Sequence, residues 1–283
     1  MRTLRLLFTF LFVLVIDPVA VSAQANDPLR STCQAVAQFN LPVLKASTKS
    51  NSDNVLKAFE TSISFVGHST FRIENNAGLT IATDYAGFAG LDVVPDVVTM
   101  NHAHSTHFTV APDPRIPHVL RGWGKNGIPA KYNLGIGDVL IRNVTTDINN
   151  QWAGFEPNGN SIFIFEMNGL CIGHLGHLHH KLTDNHYAQI GRLDVLMIPV
   201  DGGYTLNIED MTDIAERLRA SLILPMHWFG SFTLERFLAE ARTAFPVERM
   251  SSSSLTVSLN NLPVEPTVVV LQPESAFGYF DGD

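Results

Sequence analysis

Charge is scarce in this chain. Asp, Glu, Lys and Arg make up 16% of its 283 residues, and the 19 basic side chains form no run to set against the 27 acidic ones. A protein that binds nucleic acid needs clustered cations to replace the counterions of the phosphates, so composition argues against that partner. Cysteine is also scarce: Cys33 and Cys171 are the only two. They allow at most one disulfide, and the sequence leaves open whether they pair or stay as two separate buried thiols. No hydrophobic run approaches the length of a membrane-spanning helix. The stretch from Leu6 to Ile16 has eleven residues, against the roughly 20 that a bilayer requires. Internal repeats are absent, and low complexity is confined to Ser251 to Ser254.

The short apolar stretch has another use. Arg2 and Arg5 precede it, and Val21-Ser22-Ala23 supplies small residues ahead of Gln24, the pattern of a cleaved secretory signal over residues 1–23. The alternative is an uncleaved anchor or a buried N-terminal helix. Cleavage would remove two basic residues and one acidic residue, leaving 17 basic and 26 acidic side chains in an exported, periplasmic or secreted protein with no integral membrane span. Residues 24–60 then read as an N-terminal extension. It has a short helix around Thr32 to Phe39 and a polar linker from Ser47 to Asn54.

Regular structure is expected from residue 61 to the end. Ile63–Val66, Thr70–Ile73 and Leu79–Thr83 alternate like strands, with Asn75-Asn76-Ala77-Gly78 as a turn. Val97–Met100, Val139–Ile141, Ile162–Phe165 and Cys171-Ile172 are further short strands. Asn207 is placed to cap a helix whose apolar face is Ile208, Met211, Ile214 and Leu218. Thr233 is placed to cap another over Leu234–Ala244, ended by Pro246. Between these helices Ser221–Leu224 reads as a strand. Strands first, then strand and helix in alternation, imply an α/β fold with sheets inside and helices outside.

Histidine is what the chain has in excess. Seven of eleven fall in His102-Ala103-His104-Ser105-Thr106-His107 and His174-Leu175-Gly176-His177-Leu178-His179-His180, and another follows an apolar strand in Pro225-Met226-His227. Imidazole is the commonest protein metal ligand, and three such segments at strand ends can meet at one ion. On an extended backbone His102 and His104 would point to the same side, with His107 approaching from the next turn.

These motifs resemble those of the metallo-β-lactamase-fold hydrolases, in the branch containing L-ascorbate-6-phosphate lactonase and N-acylphosphatidylethanolamine phospholipase D. Phe65-Val66-Gly67-His68-Ser69-Thr70 is similar to the family's entry strand, Thr83-Asp84 to its strand-end aspartate, and residues 102–107 to His-x-His-x-Asp-His. His174–His177 resembles His-x-Gly-Asp, Ile198–Thr205 resembles Pro-Val-Gly-Gly-x-Tyr-Thr, and His227 matches the last ligand. The resemblance covers most of residues 61–272. It implies a four-layered αββα sandwich over residues 61–283, with metal ligands among His102, His104, His107, His177 and His227.

The departures shape the expected chemistry. Thr106 and His177 replace two aspartates, and no histidine lies between His118 and His174, where the family has a further ligand; Asp147 is in that interval. A neutral imidazole offers one lone pair and cannot bridge two cations as a carboxylate does. One divalent ion is therefore expected, zinc first, with manganese, iron or copper as alternatives. A threonine hydroxyl stays protonated near neutrality, so proton handling would fall to Asp201 or to His174, His179 or His180, with Thr106 as a hydrogen-bond donor. Asp84 is expected either to orient a ligand imidazole or to cap a strand end. His68 is read as a substrate contact or a packing residue.

The function these residues imply is a metal-dependent hydrolase that directs a metal-bound hydroxide at an ester, lactone or phosphoester of a small molecule. A catalytically inactive metal- or ligand-binding relative is the alternative. Redox chemistry at copper or iron is a third class, with only the ligand type in its favour. Oligomeric state is not legible.

Overall fold

A computed structural model describes residues 29–34, 56–126, 128–150 and 154–274. The proposed signal, the linker at Ser47–Asn54 and most of the helix expected near Thr32 lie outside the described residues, and Thr32–Gln34 form a bend. Among the described residues no helix is long and apolar enough to cross a membrane.

The described chain builds two mixed sheets. Its strands are β1 (Thr61–Gly67), β2 (Thr70–Asn75), β3 (Thr80–Ala82), β4 (Val97–Met100), β5 (His118–Arg121), β6 (Asn133–Ile136), β7 (Val139–Asn150), β8 (Gly154–Met167) and β9 (Leu170–His174). Helix α1 (Asp184–Ile190), β10 (Val195–Pro199), α2 (Ile208–Leu218), β11 (Leu222–Met226), α3 (Ser231–Ala241), β12 (Val247–Arg249), β13 (Ser254–Val257) and β14 (Thr267–Val270) complete it. One sheet runs β13-β1-β2-β3-β4-β5, the other β12-β14-β11-β10-β9-β8-β7-β6. Strands β9, β10, β11 and β14 run parallel, and each of β9, β10 and β11 is buried at every position, which is why they read as apolar runs without alternation. Phe65, Phe71, Ile63 and Ile73 of the first sheet share one core with Phe163, Phe165 and Ile172 of the second.

Helix α2 follows its pattern. Asn207 accepts the amide of Asp210 at 2.8 Å, and Ile208, Met211, Ile214 and Leu218 are buried. Helix α3 begins three residues before the expected position. Gly230, at φ 98°, turns the chain into the helix, and the hydroxyl of Thr233 reaches back to the amide of Phe229 instead of capping the next turn. All three described helices come after β9. A second apolar cluster of Ala82, Tyr85, Ala89, Val98, Met100 and Ile116 forms where loop residues pack against β3 and β4.

The two cysteines are joined. Cys33 is bonded to Cys171 at the start of β9, tying the N-terminal segment to the central sheet. Glu166 anchors that segment as well, accepting from Ser31 Oγ at 2.6 Å and the Thr32 amide at 2.7 Å while Arg142 pairs with it at 2.7 Å. The same guanidinium satisfies the carbonyls of Gln189 and Ile190 at the end of α1. A crosslink closing a loop of this length restricts the unfolded chain. Reduction, or Cys171→Ser, is therefore expected to lower the unfolding free energy by about 3 kcal/mol in urea titrations with and without reductant. An unchanged midpoint would mean that Glu166 alone holds the segment.

Candidate metal centre

Loops at the strand ends deliver the site. β4 ends at Met100, and the chain then folds back on itself: His107 N donates to His104 O at 2.9 Å, and Asn101 N to His107 O at 3.2 Å. This turn decides which imidazoles face inward. His104 and His107 enter the cleft, whereas His102 does not share their side, because the backbone between them is not extended. Its Nδ1 lies 2.8 Å from Glu156 Oε1, its ring stacks on Trp123 at 5.0 Å, and its side chain is 42% exposed. The expectation that His102 joins the ligand set therefore fails on backbone geometry.

Three other imidazoles meet His104 and His107. His104 Nε2 is 3.1 Å from His177 Nε2, and His107 Nε2 is 3.1 Å from His227 Nε2. Ligand nitrogens at about 2.0–2.1 Å from one tetrahedral ion would stand roughly 3.3 Å apart, so both spacings suit a common ion. His68, in the turn between β1 and β2 at φ 54°, also enters: one nitrogen from each of His68, His104, His107 and His227 falls within 4.8 Å of the others.

The opposite nitrogens explain why these rings point as they do. His107 Nδ1 lies 2.6 Å from Asp84 Oδ2, His227 Nδ1 3.0 Å from Asp201 Oδ1, and His177 Nδ1 2.8 Å from His179 Nε2. Thr106 Oγ1 lies 2.8 Å from both His104 Nδ1 and His68 Nε2. Its single proton serves one of these two contacts, so it accepts in the other. The Nε2 atoms of His104, His107, His177 and His227 are thus each aimed by a partner behind the ring, as in metal sites where a carboxylate or carbonyl fixes the ligand tautomer. Nδ1 of His68 is buried and has no hydrogen-bond partner, leaving a lone pair or a proton unsatisfied within the cluster.

Burial sets the electrostatics. It holds His104 down at about 4 and His68 at about 2, and keeps His107 and His177 well below the usual imidazole range, with neighbouring imidazoles adding to the effect. All four are neutral at physiological pH, the form that ligates metal. Burial also pushes the Asp84 carboxyl up, against hydrogen bonds from Asn101 and Ser69. For Asp201, burial raises the pKa, but hydrogen bonds from His227, Thr205 and the backbone of Gly203 outweigh it and hold the carboxylate ionised. With Oδ1 on His227 and Thr205 Oγ1, and Oδ2 accepting amides of Gly203, Tyr204 and Thr205, Asp201 is committed to orienting His227.

The surplus histidines have structural partners. His174 Nε2 donates to Ser69 O at 2.8 Å and its Nδ1 accepts from Gly176 N at 3.1 Å, which bolts β9 to the β1–β2 turn. His180 Nε2 accepts the amide of Asp147. Sequence patterns did not disclose the support beneath the cluster. Asn101 Nδ2 donates to Asp84 Oδ1 at 2.7 Å and its Oδ1 accepts Ser161 N at 2.7 Å, while Asn160 Oδ1 accepts His177 N at 2.8 Å. An asparagine directly before the first histidine cluster was the available signal for the first of these.

Gly176 must pass close over that support. Its φ is 62°, and a Cβ there would collide with Asn160 Oδ1 and Asn101 Nδ2. Gly176→Ala is expected to lose about 2–4 kcal/mol of stability in urea unfolding. Gly137→Ala, at φ 58° with open space around it, should lose only about 1 kcal/mol. Equal losses would show that backbone strain alone matters.

His174 supplies a pH dependence. Burial lowers its folded pKa to about 4, below an unfolded value near 6.5. The unfolded chain therefore binds the extra proton first, and the stability this neutral ring contributes, present above pH 6.5, is lost as pH falls through 4. Chelator-treated protein should lose about 3 kcal/mol more between pH 7.5 and 4 than His174→Gln does. Parallel pH profiles would remove this role.

Comparison with known proteins fits the geometry. A family model described as a beta-lactamase superfamily domain matches residues 62–227. A UPF0173 metal-dependent hydrolase from Methanoculleus marisnigri is 25% identical over 205 residues, 67% of this chain and 90% of the relative. Another, from Methanoregula boonei, is 26% identical over 186 residues, 60% of this chain and 81% of its own length. Among solved structures, a candidate Zn-dependent hydrolase of the metallo-β-lactamase superfamily from Thermotoga maritima superposes with a TM-score of 0.56 at 30% identity, covering 75% of this chain and 98% of that one. The metallo hydrolase Igni18 from Ignicoccus hospitalis shares the fold at a TM-score of 0.50 and 16% identity, over 76% of this chain and 96% of its own. With two mixed sheets, imidazoles gathered at the strand ends and a family match over more than half of its residues, the chain belongs to the metallo-β-lactamase superfamily.

Proposed function

We propose that this protein is an exported hydrolase that uses one divalent ion, zinc, held by His104, His107, His177 and His227, on an ester, lactone or phosphoester of a small molecule. The observation that carries the reading is the set of four Nε2 atoms, paired at 3.1 Å and each aimed by a partner on Nδ1. When bound, such an ion supplies Lewis acidity toward a carbonyl or phosphoryl oxygen and activates water. A single ion is favoured because both nearby carboxylates stand behind imidazoles and neither is free to bridge.

The chain's own residues do the rest. Asp84 and Asp201 fix His107 and His227 in the tautomer with Nε2 free, and His179 does the same for His177. Thr106 couples His104 to His68, so that a proton on one of these rings is sensed by the other through a single hydroxyl. His68, with its unpartnered Nδ1, is the polar group in the cluster left to meet substrate or a fifth coordination position. Export is supported by the signal-like residues 1–23 and by the Cys33–Cys171 disulfide, which suits an oxidising compartment.

One feature favours the non-catalytic alternative. Four imidazoles can fill a tetrahedral shell, as in structural zinc sites, whereas catalytic sites keep a position open. Metal analysis of protein purified without chelator, combined with turnover of nitrophenyl esters and bis(nitrophenyl) phosphate, separates the two. The expected result is about one zinc per chain with measurable turnover, both lost in His227→Ala and both kept in His102→Ala. Asp201→Asn should weaken zinc binding by about 10–100-fold. Bound zinc with no turnover on any substrate would turn the assignment to a binding protein, and a coloured copper or iron protein to redox chemistry.

A further inference from the structure

Two uncharged loops leave the second sheet beside the imidazole centre. Strands β10 and β11 run parallel as neighbours, so the chain emerges from both at one edge, and Val200 N donates to Met226 O at 2.9 Å where they end. Beyond Asp201 and His227, residues 202–208 and 228–234 contain no Asp, Glu, Lys or Arg. Each loop contributes an aromatic ring for which the metal site itself has no use, Tyr204 after β10 and Phe229 after β11.

These rings form a wall that reaches the imidazoles. Tyr204 and Phe229 pair edge to face at 69° with centroids 5.4 Å apart, and Phe229 lies 5.2 Å from the ring of His227 and 5.6 Å from that of His68. His227 N donates to His68 O at 2.7 Å, which holds the β1–β2 turn against the same edge. Both wall residues are fixed by their backbones. The Tyr204 amide is one of three that donate to Asp201 Oδ2, and the same carboxylate orients His227; the Phe229 amide donates to Thr233 Oγ1 at 3.1 Å. Phe229 is half-buried, whereas Tyr204 is 62% exposed and leaves most of its ring for a ligand to cover. The wall also ends at an unmet polar atom. His68, only 8% exposed, is the imidazole of the cluster whose Nδ1 has no hydrogen-bond partner among the described residues.

We propose that Tyr204 and Phe229 form one wall of a substrate subsite at the imidazole centre, taking an uncharged aryl group joined to the scissile bond. The proposal rests on the hydrolase reading for that bond and narrows its substrates to aryl or arylacyl compounds. A flat ring lying against two aromatic side chains gains stacked or edge-to-face contact in addition to the apolar surface it buries. An alkyl chain gains only the burial. A charged group finds no partner in either loop, and losing its water there carries a cost.

Ligand-observed NMR titrations of the full metal-loaded chain test it with methyl phenyl sulfone, which is not hydrolysed, against dimethyl sulfone and cyclohexyl methyl sulfone. The phenyl compound should bind about tenfold more tightly than dimethyl sulfone, roughly what partial burial of one ring supplies, and about threefold more tightly than the cyclohexyl compound. Tyr204→Ala, which keeps the backbone amide on Asp201, should remove most of both preferences, and Tyr204→Phe should retain them. With cobalt in place of zinc, the phenyl protons of the bound sulfone should relax faster, and Tyr204→Ala should abolish that enhancement. Equal binding of the phenyl and dimethyl compounds overturns the subsite. So does a preference that survives in Tyr204→Ala or is lost in Tyr204→Phe, and so do phenyl protons that cobalt leaves unaffected. Cyclohexyl binding as tight as phenyl overturns the aryl class. Because the readout is binding, phenyl selectivity without turnover of any ester would remove the hydrolase reading and leave an aryl-binding site standing. Turnover without phenyl selectivity would do the reverse.

Discussion

The side chain of Asn101 joins the two sheets behind the metal centre, and most of the site hangs from it. It leaves the first sheet at the end of β4, donates to Asp84 at 2.7 Å and accepts the amide of Ser161 in β8 at 2.7 Å. Asp84 then holds His107, and Gly176 passes over the same amide to bring His177 into place. In a region with no access to water, each unmade hydrogen bond costs about 1–3 kcal/mol, so the amide has few alternative arrangements. An aliphatic side chain there would fill the space and orient nothing.

Much of the scaffold was legible because its physics is local. The buried run Val97–Met100 holds one polar residue, β-branched Thr99, and still reads as a strand, and Asn207 with its 3–3–4 apolar spacing specifies both the start and the inner face of α2. Among the ligand candidates, His104, His107, His177 and His227 came from motif position, and the structure brings these four together. His102 was misread because the inference assumed an extended backbone, whereas a turn closed by His107 and His104 puts His102 and His104 on different sides. His68 was undervalued for a related reason. Its inward direction depends on a left-handed backbone conformation between two strands, and no composition signal marks that. Ser161 was invisible because its partner Asn101 lies far along the chain.

Thr106 and His177, which stand where the motif resemblance implies aspartates, form a coupled set. A carboxylate at 177 would need no anchor beyond its charge, whereas an imidazole needs its second nitrogen held, and His179 is placed two residues away to do so. At 106 the hydroxyl cannot ligate as a carboxylate would, yet it ties His104 to His68 at 2.8 Å on both sides. The cluster thus presents imidazoles with dedicated partners where the resemblance implies bridging oxygens. Such a cluster would have less capacity for a second cation while its rings stay held in place.

Charge balance gives the same answer. Asp84 and Asp201 are both buried, each carrying an imidazole between itself and the centre of the cluster. Left alone, two such groups are expensive: burial drives Asp84 toward the neutral acid, and Asp201 stays ionised through five hydrogen bonds. A single dication held by these rings would match the charge of both carboxylates and favour their ionised forms, and would take up the lone pairs that face one another at 3.1 Å. A second dication would exceed that balance with no acidic side chain in the cluster to meet it. The same two carboxylates thus bear on the proposed single ion twice, by standing behind imidazoles where they cannot bridge and by setting the charge to be balanced.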